Sequence, residues 1–263
     1  NVGYDGRKSS KPLKEALIKG ILESGTNVCE IGLVPTPLLY FSCILNNSKG
    51  GIMITGSHNP KDYNGFKFIL DTLPFYGKDL KSLEKKAQDF YIENFSGKRE
   101  NNDFNSEYLI TILRNFSQSK NINIVWDSGN GAAGRVMEEV SKKIGGKHKL
   151  LFKDIDGNFP NHHPDPSDPK NLIFCKEEVI KNGFDLGIAF DGDGDRIGVV
   201  DDKGRIVPGD ILLLVLSKNL SKKDPVVIGD VKCSQVLFDE IKKIGGNSII
   251  SQTGHSHVKM NMK

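Results

Sequence analysis

The chain has no apolar run approaching the ~18–20 residues a membrane-spanning helix needs, so no such helix is expected. It has no paired cysteines. Cys29, Cys43, Cys175 and Cys233 are scattered and none sits in a C-x-x-C pair. That argues against a zinc site and for a reduced, cytosolic setting. Charge of one sign is also scarce: 36 Lys and Arg against 33 Asp and Glu leave +3. No stripe of interleaved basic and aromatic residues is present, so nucleic acid is not an expected partner. No G-x-S-x-G elbow occurs, which disfavours a serine hydrolase. The opening Asn1-Val-Gly-Tyr-Asp5 carries neither a basic-apolar leader nor an initiator Met, so the expectation is a fragment without a signal peptide.

What is present is an ordinary globular composition, 37% apolar and 26% charged. A length of 263 residues suggests roughly two or three domains. Three times a short strand pattern ends in aspartate: Val2-Gly-Tyr-Asp5, Ile124-Val-Trp-Asp127 and Val227-Ile-Gly-Asp230. Each is followed by a helical pattern and a second strand. The expected fold is α/β, with tandem related domains whose mixed sheets are sandwiched between helices, over 1–103, 104–206 and 207–263. Within the first, Ser10 can cap a helix whose face is Leu13, Ala16, Leu17 and Ile21. A second amphipathic pattern covers 77–93, with Leu80, Leu83, Ala87, Phe90 and Tyr91 as its apolar positions. Residues 95–105 are polar and aperiodic and read as a linker.

Four loops could carry chemistry. After the short apolar run Ile52-Met-Ile54 comes Thr55-Gly-Ser-His-Asn-Pro60, with Lys67 beyond it. A hydroxyl at the end of a buried strand can meet a ligand from a fixed backbone, but Asn-Pro and Asn-Gly are also ordinary turn dipeptides. The strongest signal is Asp191-Gly-Asp-Gly-Asp-Arg196. Glycines let three carboxylates converge, and converging carboxylates suit a hard divalent cation such as Mg²⁺ or Ca²⁺. An exposed acidic turn is the alternative, and the apolar flanks Leu186–Phe190 and Ile197–Val200 count against it. An EF-hand would need Gly and Glu where Arg196 and Asp202 stand. Gly129-Asn-Gly-Ala-Ala-Gly134 fits a dinucleotide fingerprint, although glycines permitting a tight turn explain it better. His162 and His163 point apart if extended and read as satisfied loop residues. His58 beside Ser57 is not expected to pair with it within one extended segment.

Thr55–Pro60, Asp191–Arg196 and Thr253-Gly-His-Ser256 together resemble the α-D-phosphohexomutases. Asp156-Gly-Asn-Phe-Pro-Asn-His-His-Pro-Asp-Pro166, Asp127-Ser-Gly-Asn-Gly131 and Asp230-Val-Lys-Cys233 bring the resemblance nearest to the bacterial phosphomannomutase/phosphoglucomutase group. The resemblance implies an intramolecular phosphotransferase, an isomerase that interconverts hexose 1-phosphate and hexose 6-phosphate of mannose or glucose. A phosphoserine and a hexose 1,6-bisphosphate are its intermediates. It implies that Ser57 is the phosphoserine, and that Asp191, Asp193 and Asp195 hold Mg²⁺ together with an oxygen of Ser57. It places His58, Lys67 and Arg196 around the phosphoryl group, and Lys232, Thr253, Gly254 and His255 at the sugar, with His255 an acid/base. It also implies a fourth, phosphate-binding domain and a Gly-Glu-x-Ser-Gly-His loop, which these 263 residues do not contain, so weak activity is expected of this chain. A monomeric cytoplasmic protein is expected. The rivals are a phosphoglucosamine mutase, a Mg²⁺-dependent sugar phosphatase, and a non-catalytic metal- or nucleotide-binding module.

Overall fold

The computed structural model describes residues 1–88, 96–114, 116, 121–220 and 224–262. The first unit runs through Val2–Tyr4 (β1), Ser10–Glu23 (α1), Val28–Leu33 (β2), Thr36–Leu45 (α2), Gly50–Ile54 (β3), Phe66–Leu70 (β4), Leu73–Phe75 (β5), Lys78–Gln88 (α3) and Arg99–Asn101 (β6). Its sheet has the order β5-β4-β3-β1-β2-β6. Strand β1 is parallel to β2 and β3, whereas β4 is antiparallel to β3.

The second unit runs through Asn105–Leu113 (α4), Ile124–Asp127 (β7), Gly134–Ser141 (α5), His148–Leu151 (β8), Ile173–Asn182 (α6), Leu186–Phe190 (β9), Ile197–Asp201 (β10) and Ile206–Val207 (β11). Its sheet has the order β11-β10-β9-β7-β8. Strand β7 is parallel to β8 and β9, and β10 is antiparallel to β9. The same arrangement is therefore used twice. A third unit holds Gly209–Lys218 (α7), Val226–Asp230 (β12), Gln235–Lys243 (α8), Asn247–Ser251 (β13) and His255–Asn261 (α9), with β12 and β13 parallel.

Period-two alternation explains why helices cover both sheet faces. In β7, Val125 joins Leu172, Cys175 and Val179 of the α6 side. Its neighbours Ile124 and Trp126 join Met137 and Ile144 of the α5 side. In the first unit Met53 packs with Leu38 and Leu39 of α2, while Ile54 packs with Ile18 of α1. A fully buried side chain of this kind contributes about 1.5–3 kcal/mol, and the two-sided packing holds the strand ends rigidly in place. No helix among the described residues is long and apolar enough to cross a membrane.

Several sequence expectations change. The 95–105 stretch contains β6, which pairs in parallel with β2. All three of its residues are exposed, so no apolar alternation marks it. Arg99 fixes it by bonding Glu30 and Glu15. The 77–93 helix is described only as α3, where Leu80 and Leu83 are exposed; Phe90 and Tyr91 lie outside the described residues. In α1 the buried positions are Ser10, Lys14 and Ile18, and Ala16 is exposed. Lys14 is buried because its ammonium bonds Glu30, at 2.5 Å. Ser10 does not cap: its hydroxyl donates to Asp5 Oδ1 at 2.5 Å.

Candidate active site

The aspartates that end β1, β7 and β12 share one local role. Asp5, Asp127 and Asp230 each accept, through Oδ1, the backbone N–H two residues on: Arg7 at 3.0 Å, Gly129 at 2.8 Å and Lys232 at 2.7 Å. This is the Asx turn, in which a short carboxylate mimics a backbone acceptor. It fixes the chain at the carboxyl end of each first strand, where open α/β sheets place their ligands.

The loops of interest leave the neighbouring strands. The β3–β4 hairpin, with Ile54 opposite Phe66, carries Ser57. The β9–β10 hairpin, with Phe190 opposite Ile197, carries Asp191, Asp193 and Asp195. The two equivalent loops face each other across the two units. Ser57 Oγ donates to Asp191 Oδ2 at 2.6 Å. A side chain on Gly192 would put its Cβ 2.5 Å from the Ser57 carbonyl oxygen, so glycine is required there for the loops to approach.

Ser57 is 8% exposed and has φ +49°, a left-handed conformation unusual for a non-glycine residue. The turn corrects one expectation. Because the segment is not extended, His58 Nδ1 comes within 3.4 Å of Ser57 Oγ. Burial, and then the Arg196 charge, hold the His58 imidazole below its ordinary pKa.

The three aspartates offer carboxylate oxygens that all lie within 4.8 Å of one another. Asp191 and Asp193 are fully buried. Burial first, and then the charges of Asp193 and Asp195, push the Asp191 carboxyl up to about 7. Lys67 Nζ lies 2.6 Å from Asp193 Oδ2 and 2.6 Å from Asp195 Oδ2. Burial opposes its charge, but the two carboxylates hold its pKa well above the usual value. Asp193 Oδ1 is buried with no hydrogen-bond partner among the described residues. Hard oxygen donors, an excess of negative charge and an orphaned carboxylate oxygen fit a divalent cation.

Arg196 is exposed, and its guanidinium bonds nothing among the described residues. His255 opens α9, and its pKa is lowered by desolvation and then by the charges of Lys67 and Lys259. Helix α9 rests on the first unit through Lys259, 3.5 Å above the Tyr40 ring centroid, and His257, whose Nδ1 lies 3.3 Å from the Tyr76 hydroxyl. Lys232, Thr253 and Gly254 are exposed at the carboxyl ends of β12 and β13. Among the described residues, their side chains make no bond to the Ser57 loop. The dinucleotide reading of 129–134 finds no support. The N–H groups of Gly129, Asn130, Gly131, Ala132 and Gly134 are already bonded to Asp127, Phe152, Ser128, Gly192 and Gly131. His162 is not a ligand either: its Nε2 lies 3.1 Å from both carboxylate oxygens of buried Asp127, while His163 is exposed.

Three family models match the chain: phosphoglucomutase/phosphomannomutase alpha/beta/alpha domain I over residues 1–91, domain II over 106–204 and domain III over 208–263. The chain belongs to the phosphoglucomutase/phosphomannomutase family. It is similar to the phosphomannomutase/phosphoglucomutase of Pseudomonas putida, at 41% identity over the whole chain and 57% of that protein. It is also similar to the phosphoglucomutase of Neisseria meningitidis serogroup B, at 42% identity over 98% of the chain and 57% of the relative. The chain thus spans a little over half the length of these relatives. A crystal structure of a phosphoglucomutase/phosphomannomutase family protein from Burkholderia thailandensis superposes with a TM-score of 0.93. It is 38% identical and covers 99% of this chain and 59% of that one.

In this member of the phosphoglucomutase/phosphomannomutase family, sequence reasoning passed over Arg7. Its guanidinium is buried, 2% exposed, and bonds Asp5 Oδ2 through Nε at 3.2 Å. Nη1 donates to the carbonyls of Pro60 and Tyr63, at 2.5 and 2.9 Å. Nη2 donates to those of Ser57 and Asn59, at 2.8 and 2.7 Å. One planar fork therefore organises the whole Ser57 loop. The local signal was Asp5-Gly-Arg7 at a strand end, which alone says nothing about which carbonyls the arginine meets.

Two outcomes follow. Arg7→Lys keeps the charge but not the fork, leaving buried carbonyls unsatisfied at about 1–3 kcal/mol each. Urea denaturation should show a loss of at least about 2 kcal/mol, with faster amide exchange over 56–65; unchanged stability would contradict this role. The second concerns pH. A carboxyl raised in the folded state binds a proton that the unfolded chain releases, so this group's contribution to stability falls as pH rises from about 4 towards 7. A divalent cation held by these carboxylates would replace that proton. Its stabilising effect, read as a rise in Tm, should be larger at pH 8 than at pH 6, and an equal or larger rise at pH 6 would contradict it.

Proposed function

We propose that this chain serves an intramolecular phosphotransferase that interconverts hexose 1-phosphate and hexose 6-phosphate, of mannose or glucose, through phosphorylated Ser57. The observation that carries the proposal is the 2.6 Å contact between Ser57 Oγ and Asp191, made by two loops from different units. Names of the relatives support the substrate class. The free state of all four cysteines is consistent with a cytoplasmic location, and the chain is further proposed to act as a monomer.

Asp191, Asp193 and Asp195, with an oxygen of Ser57, would hold Mg²⁺. When bound, the ion supplies positive charge that stabilises the serine oxygen as it becomes a leaving group. The chain's own residues do the rest. Unmodified Ser57 gives its hydroxyl hydrogen to Asp191 Oδ2. The phosphorylated serine, carrying roughly two negative charges, has no such hydrogen to give. Lys67 and Arg196 supply positive charge for the phosphoryl oxygens, and His58 can hydrogen-bond them. Lys232, Thr253 and Gly254 orient the hexose. His255, held neutral, takes the proton from the attacking sugar hydroxyl.

That hydroxyl forms its bond to phosphorus as the Ser57 Oγ–phosphorus bond breaks, which gives hexose 1,6-bisphosphate and a Ser57 alkoxide that takes up a proton from solvent, while the sugar's proton stays on His255. Return of the other phosphoryl group to Ser57 completes the isomerisation. The protein supplies mainly positioning and charge.

Intact mass spectrometry of the chain after incubation with glucose 1,6-bisphosphate and Mg²⁺ tests this. One phosphoryl group should be added, mapping to Ser57 and absent in Ser57→Ala. Release of inorganic phosphate without a phosphorylated serine would instead favour a phosphatase.

A further inference from the structure

We propose that Thr36, in the first unit, is the positioning residue that decides which oxygen of Asp193 faces the cation, and thereby favours magnesium over calcium. This rests on the metal site proposed above.

Thr36 lies outside every loop that carries the chemistry, yet it is fully buried against the second unit. Its backbone N–H donates to the Asp193 carbonyl at 2.8 Å, and its hydroxyl donates to Asp193 Oδ2. The preceding Pro35 closes on the loop as well: a Cβ built on Gly194 would stand 3.1 Å from Pro35 Cβ. The two prolines around Thr36 set this geometry. Pro35 is extended, with φ −71° and ψ 152°, and Pro37 lies in the first turn of α2.

The consequence lies in the two oxygens of one carboxylate. Oδ2 takes the Thr36 hydroxyl and the Lys67 ammonium. Oδ1 takes nothing among the described residues, although it is fully enclosed. Lys67 divides one ammonium between Asp193 and Asp195 and reaches them on a flexible stem. Thr36 is held by backbone on both sides and serves Asp193 alone. It therefore pins Oδ2 away from the ion and leaves Oδ1 to face it. Single-oxygen presentation suits the strict octahedral shell of Mg²⁺, whereas Ca²⁺ accepts more ligands and readily takes a carboxylate through both oxygens.

The test is titration calorimetry of Mg²⁺ and Ca²⁺, separately, on the full 263-residue chain and its variants. Thr36→Val is nearly isosteric and keeps the backbone bond. It should weaken Mg²⁺ binding by about 10–100-fold, as for other residues that orient a ligand. Ca²⁺ affinity should change by less than about threefold, so the magnesium preference falls. Thr36→Ser keeps the hydroxyl and should retain both affinities. Thr36→Ala removes it without adding bulk and gives the same reading if the valine variant folds poorly. Unchanged Mg²⁺ affinity in Thr36→Val and Thr36→Ala would overturn the inference. So would an equal loss of both ions, which would mark Thr36 as merely structural. Absence of Mg²⁺ binding by the unmodified chain would instead overturn the metal site itself.

Discussion

The constraint on which this structure depends is electrostatic. Three carboxylates converge on one point, two of them fully buried and one of these holding the hydroxyl of Ser57. Such an arrangement is costly as it stands, and the protein shows the cost: Asp191 is driven towards its protonated form, and Lys67 is drawn between the other two aspartates. Adding a phosphoryl group at Ser57 would remove the hydrogen now shared with Asp191 and add further negative charge. A divalent cation at the same point would relieve both problems. On the function proposed above, Lys67 and Arg196 would balance charge that moves with the phosphoryl group.

Precision comes from a repeated architecture. The same hairpin, beside the same parallel pair, is built once with a serine loop and once with an aspartate loop. The serine loop is moored by Asp5, at the end of its unit's first strand, which accepts from the Thr55 hydroxyl and the Gly56 N–H. Rigid two-sided packing of both sheets places the loop tips, and glycine at position 192 lets them approach. A site assembled in this way draws its residues from both units. Thr36, Ser57 and Lys67 come from one side, and all three aspartates come from the other.

Much of this was legible in the sequence because the chemistry lies in short polar loops that directly follow apolar strands. Asp191-Gly-Asp-Gly-Asp gave its charge problem away, and the Val-Gly-Tyr-Asp repeat announced three similar units. What stayed hidden depended on partners distant in the chain. Arg7 and Thr36 are ordinary residues until folding decides which carbonyls and carboxylate they meet. Strand β6 was hidden because an exposed edge strand needs no apolar alternation; its pairing with β2 and the Arg99 ion pairs suffice. The Ser57–His58 contact was misjudged because an extended segment was assumed where the serine adopts a left-handed turn. Glycines 129–134 resembled a phosphate cradle, but their amides are already bonded within the fold.

The most direct test of the electrostatic account is an anomalous diffraction measurement on crystals of this chain grown with Mn²⁺ in place of Mg²⁺. The account predicts a single strong anomalous peak among the carboxylates of Asp191, Asp193 and Asp195 and beside Ser57 Oγ, with the Lys67 ammonium displaced from its position between Asp193 and Asp195. Absence of a peak there at saturating Mn²⁺, with Lys67 still bridging the two aspartates, would contradict it.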